Sequence, residues 1–278
     1  MKRIFITYGD EGFEKTKKRI IGEARSIGIF DEVLAFGPED LSEEILASSI
    51  IKVHRGGGVW CWKPEMILST LSRYEDGDII VYCDAGCTLS LASEWNNYWK
   101  KLSACDIIAQ RILQRTDQWT RQELISLFSD NGTRWLKDYQ YLSGAIFFKN
   151  SPFCRDFVKE WRDIMISHPE CVEDVPADHR HLQHPTFIES RHDQSVFSAL
   201  IYKYLLRSET RHLIYTKWEH IEFYDIFYKQ AIRATRLRTG EQETIQMKAI
   251  AAMRRLKWIF LLIFSGYALL HWWYSRSH

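Results

Sequence analysis

The run Asp78-Ile79-Ile80-Val81-Tyr82 constrains this chain more than any other segment. It has the length of a strand and is apolar at successive positions, so both of its faces must be covered and it cannot lie at a sheet edge. Lys2–Tyr8 has the same character, and Asp31–Phe36 supplies another strand, stopped by Gly37-Pro38. Between these runs, Phe13–Ile27 repeats apolar residues at helical spacing behind a basic outer face. Leu41–Ser49 predicts a short helix, and Arg55-Gly56-Gly57-Gly58 a flexible loop. Pro64–Arg73 predicts a helix with Pro in its first turn, where the missing N–H costs nothing. A Trp-rich helix over Ser90–Leu102 and a strand over Cys105–Gln110 follow. Strands alternating with helices predict an α/β fold: a mixed, mainly parallel central sheet flanked by helices, with ligands gathering beyond the carboxyl ends of the strands.

The second half is less regular. Trp119–Phe128, Phe153–Ile166 and His192–Leu206 read as helices, and Ser143–Phe148 and His212–Thr216 as strands. Ser167–Ser190 has no period and carries His168, His179, His181 and His184 with three prolines and several acids, which predicts a long surface loop.

Composition matters chiefly through its asymmetry. The 278 residues are 46% hydrophobic and 26% charged, which excludes a disordered or collagenous chain and a disulfide scaffold. The net charge of +1 argues against a generic nucleic-acid binder. It conceals a split, because residues 229–278 hold nine Lys and Arg against Glu241 and Glu243, so that this tail is +7 and the body −6. Within the tail, Trp258–Tyr274 has seventeen residues without formal charge, preceded by Arg254, Arg255 and Lys257. That is marginal for a span, which needs roughly 20 apolar residues. Its aromatic ends and flanking cations predict instead a helix lying on an anionic membrane surface, or packing on the body. The division expected is a catalytic domain over 1–228 and a basic, aromatic, helical tail over 229–278. The six cysteines form no Cys-x-x-Cys pair and read as buried thiols of a reducing compartment. The start, Met-Lys-Arg followed at once by Ile4-Phe5-Ile6, has no signal-peptide pattern, so the body is expected in the cytoplasm, peripheral to or C-terminally anchored at the inner face of the cytoplasmic membrane.

Several side chains are placed to carry chemistry. Asp84 stands where a buried strand gives way to Ala85-Gly86, a position suited to a cation or a ribose hydroxyl, and equally to a carboxylate that caps a turn. Arg55 and Lys63 flank the glycine-rich loop and can meet phosphate, or remain solvated. Trp60 and Trp62 face the same side if the chain is extended, for stacking on a sugar or base or for core packing. Asp193 and Gln194 open a helix, where an acid is also explained by the helix dipole.

Three blocks in order carry a resemblance: Thr7-Tyr8-Gly9-Asp10, then Arg55 through Pro64 (RGGGVWCWKP), then Gly77 through Gly86 (GDIIVYCDAG). Leu142–Phe148 (LSGAIFF) and His192–Ser198 (HDQSVFS) extend it, so that about residues 3–216 are similar to bacterial glycosyltransferases of the nucleotide-sugar-binding GT-A, or Rossmann-like, fold. The resemblance implies a hexosyltransferase that moves a sugar from a nucleotide donor, UDP favoured, to a glycan or glycolipid acceptor in surface polysaccharide synthesis, such as lipopolysaccharide or capsule. It implies donor or acceptor contacts from Thr7, Tyr8, Arg55, Trp60, Trp62, Lys63, Asp84, Ala85, Gly86, Ser143, Gly144 and His192. Asp193 and Gln194 match the catalytic positions of retaining members, Asp193 on donor hydroxyls and Gln194 beneath the anomeric carbon. An inverting enzyme needs a base instead, which Glu173, Asp174, Asp178 or Glu189 can supply. One departure weakens the expected Mn²⁺ or Mg²⁺: the second carboxylate of the family's Asp-x-Asp is Gly86, leaving Asp84 to be completed by His212, His220 or the loop histidines. A fold kept without catalysis, as a nucleotide- or glycan-binding module, and a membrane-anchored assembly protein are the competing classes.

Overall fold

The computed structural model describes residues 1–218 and 230–235. Its strands in chain order are β1 (Arg3–Tyr8), β2 (Glu32–Phe36), β3 (Ile79–Cys83), β4 (Thr88–Leu89), β5 (Ile107–Arg115), β6 (Tyr139–Tyr141), β7 (Ala145–Lys149), β8 (Ile214–Trp218) and β9 (Ile232–Arg233). The longer helices are α1 (Glu14–Ile27), α2 (Trp62–Arg73), α3 (Glu94–Leu102), α4 (Pro152–Ser167) and α5 (Asp193–Leu205).

Seven strands make the central sheet, in the order β2-β1-β3-β7-β5-β6 with β8 on the other edge of β5. β1 pairs in parallel with β2 and with β3, and β5 in parallel with β8, whereas β7 runs against both β3 and β5. Five strands therefore share one direction and β6 and β7 oppose it, the mixed, mainly parallel sheet that the alternation of elements predicts. The run Ile79–Cys83 is central and buried along its whole length.

Side-chain alternation divides the core into two layers. Ile4, Ile6, Ile80, Tyr82, Ile146 and Phe148 face α2, α4 and α5, together with Trp161 and Phe197. Phe5, Ile79, Val81, Ala145 and Phe147 face the opposite way, onto Ile20 and Ala24 of α1 and Trp95 and Tyr98 of α3. Helices thus cover both faces, which the continuous apolar strands require. Arg162 of α4 bonds the carboxylates of Glu65 in α2 and of Glu44, which fixes these elements against each other. All six cysteines are buried, as expected of the thiols.

The first half of the chain moves outward from β1 to β2, then returns to place β3 on the far side of β1. In an open α/β sheet this reversal opens a crevice beyond the carboxyl ends of the strands that flank it. Here those ends are Tyr8-Gly9-Asp10 after β1 and Asp84 after β3.

Three elements differ from the sequence expectation. The span 119–128 forms two short helices, Thr116–Trp119 and Gln122–Leu127, because Thr120 and Arg121 take extended backbone between them. Strand β6 is too short to show in the apolar pattern, yet it continues the run of β7 along one edge of β5: Ile108 lies opposite Phe147 and Arg111 opposite Tyr141. The segment Leu142-Ser143-Gly144 interrupts that run, and Leu142 N–H still donates to the Gln110 carbonyl at 2.7 Å. The glycine block is not a flexible loop. Arg55 begins a hydrogen-bonded turn in which Gly56, Gly57, Gly58, Val59 and Trp60 all have positive φ, and Val59 N–H donates back to the Arg55 carbonyl. The basic aromatic tail lies outside the described residues except for 230–235.

Candidate active site

Strand β3 delivers the site. Tyr82 and Asp84 are two residues apart, so both project toward the α2, α4 and α5 layer, and the Tyr82 hydroxyl donates to Asp84 Oδ1 at 2.6 Å. Asp84 N–H is held by the Gly144 carbonyl at 2.9 Å, and the Thr7 hydroxyl of β1 donates to the neighbouring Cys83 carbonyl at 2.8 Å. Gly144 belongs to the break between β6 and β7. A Cβ there would sit 2.8 Å from Asp84 Oδ2, so glycine is what lets the carboxylate lie against this backbone.

Lys63 occupies the centre. It comes from the first turn of α2, where the positive end of the helix dipole disfavours an ammonium, and its side chain is only 2% exposed. Two carboxylates offset both costs. Lys63 Nζ lies 2.7 Å from Asp193 Oδ2 and 3.2 Å from Asp84 Oδ1. The ammonium also donates to Ser143 Oγ at 3.3 Å, and the Ser143 hydroxyl donates to Asp193 Oδ2 at 2.7 Å. Burial disfavours the charged lysine, but Asp193 and Asp84 outweigh it, and the Lys63 pKa stands above the ordinary lysine value. Lys63 is consequently a fixed cation and not an amine nucleophile. Burial, reinforced by Asp84, raises the Tyr82 phenol well above its usual range, so it remains a donor. Asp193 begins α5, where the dipole favours an acid, and its side chain is 6% exposed against 40% for Asp84. Asp84 is therefore the face of the cluster that meets solvent.

Gln194, the next residue of α5, is oriented by two more glutamines. The Trp119 carbonyl can only accept, so Gln140 turns its amide nitrogen to it at 3.1 Å and to Ser195 Oγ at 3.0 Å. That leaves Gln140 Oε1 to accept from Gln194 Nε2 at 2.7 Å, while Gln114 Oε1 accepts the same nitrogen at 3.1 Å. Both amide hydrogens of Gln194 are thereby used, and its carbonyl oxygen is the end turned away from this network.

The second group surrounds the left-handed turn. The Trp62 ring stacks on Tyr8 with centroids 4.0 Å apart, and its Nε1 donates to the Gly56 carbonyl at 2.9 Å. The Trp60 ring meets His192 instead, at 5.2 Å. The two tryptophans therefore do not share a side, because the backbone between them is turned and not extended. Arg55 is occupied by Asp174, at 2.7 Å, and by Glu189, so it ties the long loop to the glycine turn and does not stand open to phosphate. Lys63 likewise serves carboxylates. In the same region Asp10 Oδ1 is buried with no hydrogen-bond partner among the described residues, its other oxygen 3.9 Å from where a Gly57 Cβ would be.

His192 takes φ 51 and ψ −121, a backbone conformation costly for a side-chain-bearing residue. It is nearly buried. Nδ1 lies 2.6 Å from the Val172 carbonyl, which assigns the proton to Nδ1, and among the described residues Nε2 has no hydrogen-bond partner, with Asp174 Oδ1 3.7 Å away. Burial lowers the His192 pKa, only partly countered by the Val172 bond.

Ala85 and Gly86 form the loop after Asp84. Arg19 Nη2 donates to the Ala85 and Cys87 carbonyls at 2.9 and 2.7 Å, and the Thr235 hydroxyl donates to the Gly86 carbonyl at 2.9 Å. Of the residues expected from the sequence, Lys63, Asp84, Ser143, Gly144 and Asp193 come together, Gln194 adjoins them, and Tyr8 and Trp62 stack in the core beside the crevice. Thr7 shapes the sheet end from within the core. Gln114 and Gln140 were not singled out by sequence, and Tyr82 and Asp10 stood in the quoted blocks without a role; the two-residue spacing of Tyr82 from Asp84 on one strand is the signal that finds Tyr82.

A divalent cation does not fit these residues. It would need several free oxygen ligands, whereas Asp84 Oδ1 is shared by Tyr82 and Lys63, and the ammonium separates Asp84 from Asp193. His168 partners Glu170 and His184 partners Thr186, and His179, His181 and His212 are exposed, so none completes Asp84; His220 lies outside the described residues. Among the described residues no group of three or more His, Cys, Asp or Glu is placed to hold a metal.

No protein-family model and no curated protein sequence matches the chain. Among solved structures it is similar to a glycosyltransferase involved in glycosylation of the major capsid of PBCV-1, at 10% identity and a TM-score of 0.39 over 78% of this chain and 82% of that one. It is also similar to mouse xyloside xylosyltransferase 1, at 11% identity and a TM-score of 0.41 over 78% and 84%. The galactosyltransferase LgtC, solved with donor and acceptor sugar analogs, overlaps 77% of this chain and 86% of its own at 11% identity and a TM-score of 0.37. At such identities and scores these are similarities of chain course, and what the molecule does must be argued from its own site.

Proposed function

We propose that this chain is a glycosyltransferase that moves a sugar, a hexose in the reading we favour, from a nucleotide-sugar donor to a glycan acceptor. The observation that carries the proposal is the convergence of Lys63, Asp84, Ser143 and Asp193, from four separate segments, at the crevice beyond the carboxyl ends of β1 and β3. Sugars are recognised through hydroxyls, and a cluster of carboxylates and a hydroxyl fixed by a buried ammonium offers such groups without freedom to rearrange. Tyr8 and Trp62, buried and stacked on each other, support the wall of the crevice from the core.

Asp84, the exposed member, meets the donor first, and Asp193 and Ser143 define the inner end of the sugar subsite. Retention of configuration is favoured, with Gln194 presenting its carbonyl oxygen to positive charge that develops at the anomeric carbon. UDP is the favoured nucleotide. The basic tail directs the enzyme to an anionic membrane surface, where a lipid-linked acceptor of surface polysaccharide synthesis would be found. A binding module without turnover is the second reading, favoured by Gly86 in place of a second carboxylate.

The test is release of nucleotide from a panel of nucleotide sugars, with and without acceptor. Wild type is expected to turn over at least one donor, and Asp84→Ala to lower that rate by about a hundredfold or more. If no donor is bound or hydrolysed, and Asp84→Ala changes nothing, the proposal is wrong. Binding without hydrolysis would favour the module.

A further inference from the structure

The crevice holds a positive charge that belongs to the chain. Lys63 Nζ lies between Asp193 Oδ2 and Asp84 Oδ1, 2.7 and 3.2 Å away, and it is buried from solvent. In many phosphate-handling sites an acidic pair is bridged by a divalent cation, whose several oxygen ligands must be free of other partners. None is free here. Asp193 Oδ2 accepts from Lys63 and from Ser143, and Asp84 Oδ1 accepts from Tyr82 and is ion-paired with Lys63. The Tyr82 ring lies 5.5 Å from the ammonium and the Trp62 ring 5.9 Å. We infer that the Lys63 ammonium takes the place of a bridging divalent cation between Asp84 and Asp193, and that this site works with no metal ion bound.

The charge balance agrees. Two carboxylates and one ammonium leave a net charge of −1 on the cluster, and that charge sits mainly on Asp84, the member open to solvent. Adding a divalent cation would require displacing Lys63 into an apolar layer without a partner, which is a costly state for an ammonium. The consequence for a nucleoside diphosphate, that it binds equally well without a metal, rests on the glycosyl-transfer reading. The statement about the cation stands on the geometry alone.

Two measurements on the full chain separate these parts. The first is titration of Mn²⁺ followed by electron paramagnetic resonance, without nucleotide. Wild type is expected to show no Mn²⁺ site tighter than ~1 mM that Asp84→Asn abolishes, and such a site would overturn the inference. In Lys63→Met the two carboxylates lose their bridge, and Mn²⁺ affinity is expected to rise about tenfold or more. A folded Lys63→Met that gains nothing would overturn the inference as well. If circular dichroism shows that Lys63→Met does not fold, the wild-type titration decides by itself. The second measurement is UDP binding by calorimetry in EDTA and in Mn²⁺. Affinities within about twofold of each other are expected, and a rise of about tenfold with Mn²⁺ that depends on Asp84 would overturn the inference. Failure of UDP to bind in either buffer counts against the glycosyl-transfer reading, while the nucleotide-free titration still decides the cation.

Discussion

At the scale of single residues, burial separates groups that hold the fold from groups that do the chemistry. Asp193 and Asp84 touch the same ammonium, but their exposures are 6% and 40%. Removing a buried partner leaves an uncompensated charge, so Asp193→Ala is expected to cost about 3 kcal/mol or more. A half-open pair contributes little, so Asp84→Ala is expected to cost less than about 1 kcal/mol. Urea unfolding of the two variants checks the order, and equal costs would contradict it. Asp84→Ala is for that reason the cleaner probe of activity. His192 offers a second test. Its folded pKa is depressed below the ordinary 6.5 by burial, so the unfolded chain binds the proton first as pH falls. The stability that His192 lends is complete above the unfolded value and is lost as pH drops through it toward the folded one. Between about pH 7.5 and about pH 5.5 the wild-type melting temperature is expected to fall more steeply than that of His192→Asn. Parallel curves would show that His192 is not the group responsible.

At the scale of elements, the glycine turn illustrates what a sequence conceals. Three glycines in a row announce freedom, and the chain uses it to build a left-handed turn that ends with Val59 and Trp60 also at positive φ. The positions are not equivalent. A Cβ on Gly58 would meet the Ile51 backbone at 2.9 Å, whereas one on Gly57 would meet nothing nearer than 3.8 Å. Gly57→Ala is expected to cost only the left-handed penalty of about 1–2 kcal/mol, and Gly58→Ala clearly more, because the backbone must shift as well. Chemical denaturation reads the difference, and the reverse order would mean that the turn is not closed as described. The apolar strands and amphipathic helices were legible because their periods follow from burial on a known face. Asp84, at the end of a buried strand, was legible for the same reason. The partnership of Lys63 with Asp193 was not, since 130 residues separate them and neither period nor spacing reports so distant a pairing. Arg55 misleads in the same way: beside glycines it reads as a phosphate ligand, while its actual partners, Asp174 and Glu189, lie far along the chain. Strand β6 escaped because three residues carry too few side chains to show alternation.

At the scale of the whole molecule, the first residues of the tail, within 230–235, are part of the site's scaffold. β9 pairs with β4, Ser90 N–H donates to the Ala231 carbonyl at 2.9 Å, and Thr235 holds the Gly86 carbonyl. A chain ending at residue 229 is expected to keep the central sheet but to loosen the loop behind Asp84. Hydrogen exchange at Ser90 should accelerate by about tenfold or more while Val81 stays protected, and unchanged exchange at Ser90 would refute the coupling. The same stitch fixes where the tail departs. Trp258 begins 23 residues beyond Thr235, and even a fully extended chain of that length reaches only about 80 Å. Any ligand of Trp258–Tyr274 is therefore leashed to the crevice, and its effective concentration there is set by linker length and not by its abundance in the cell.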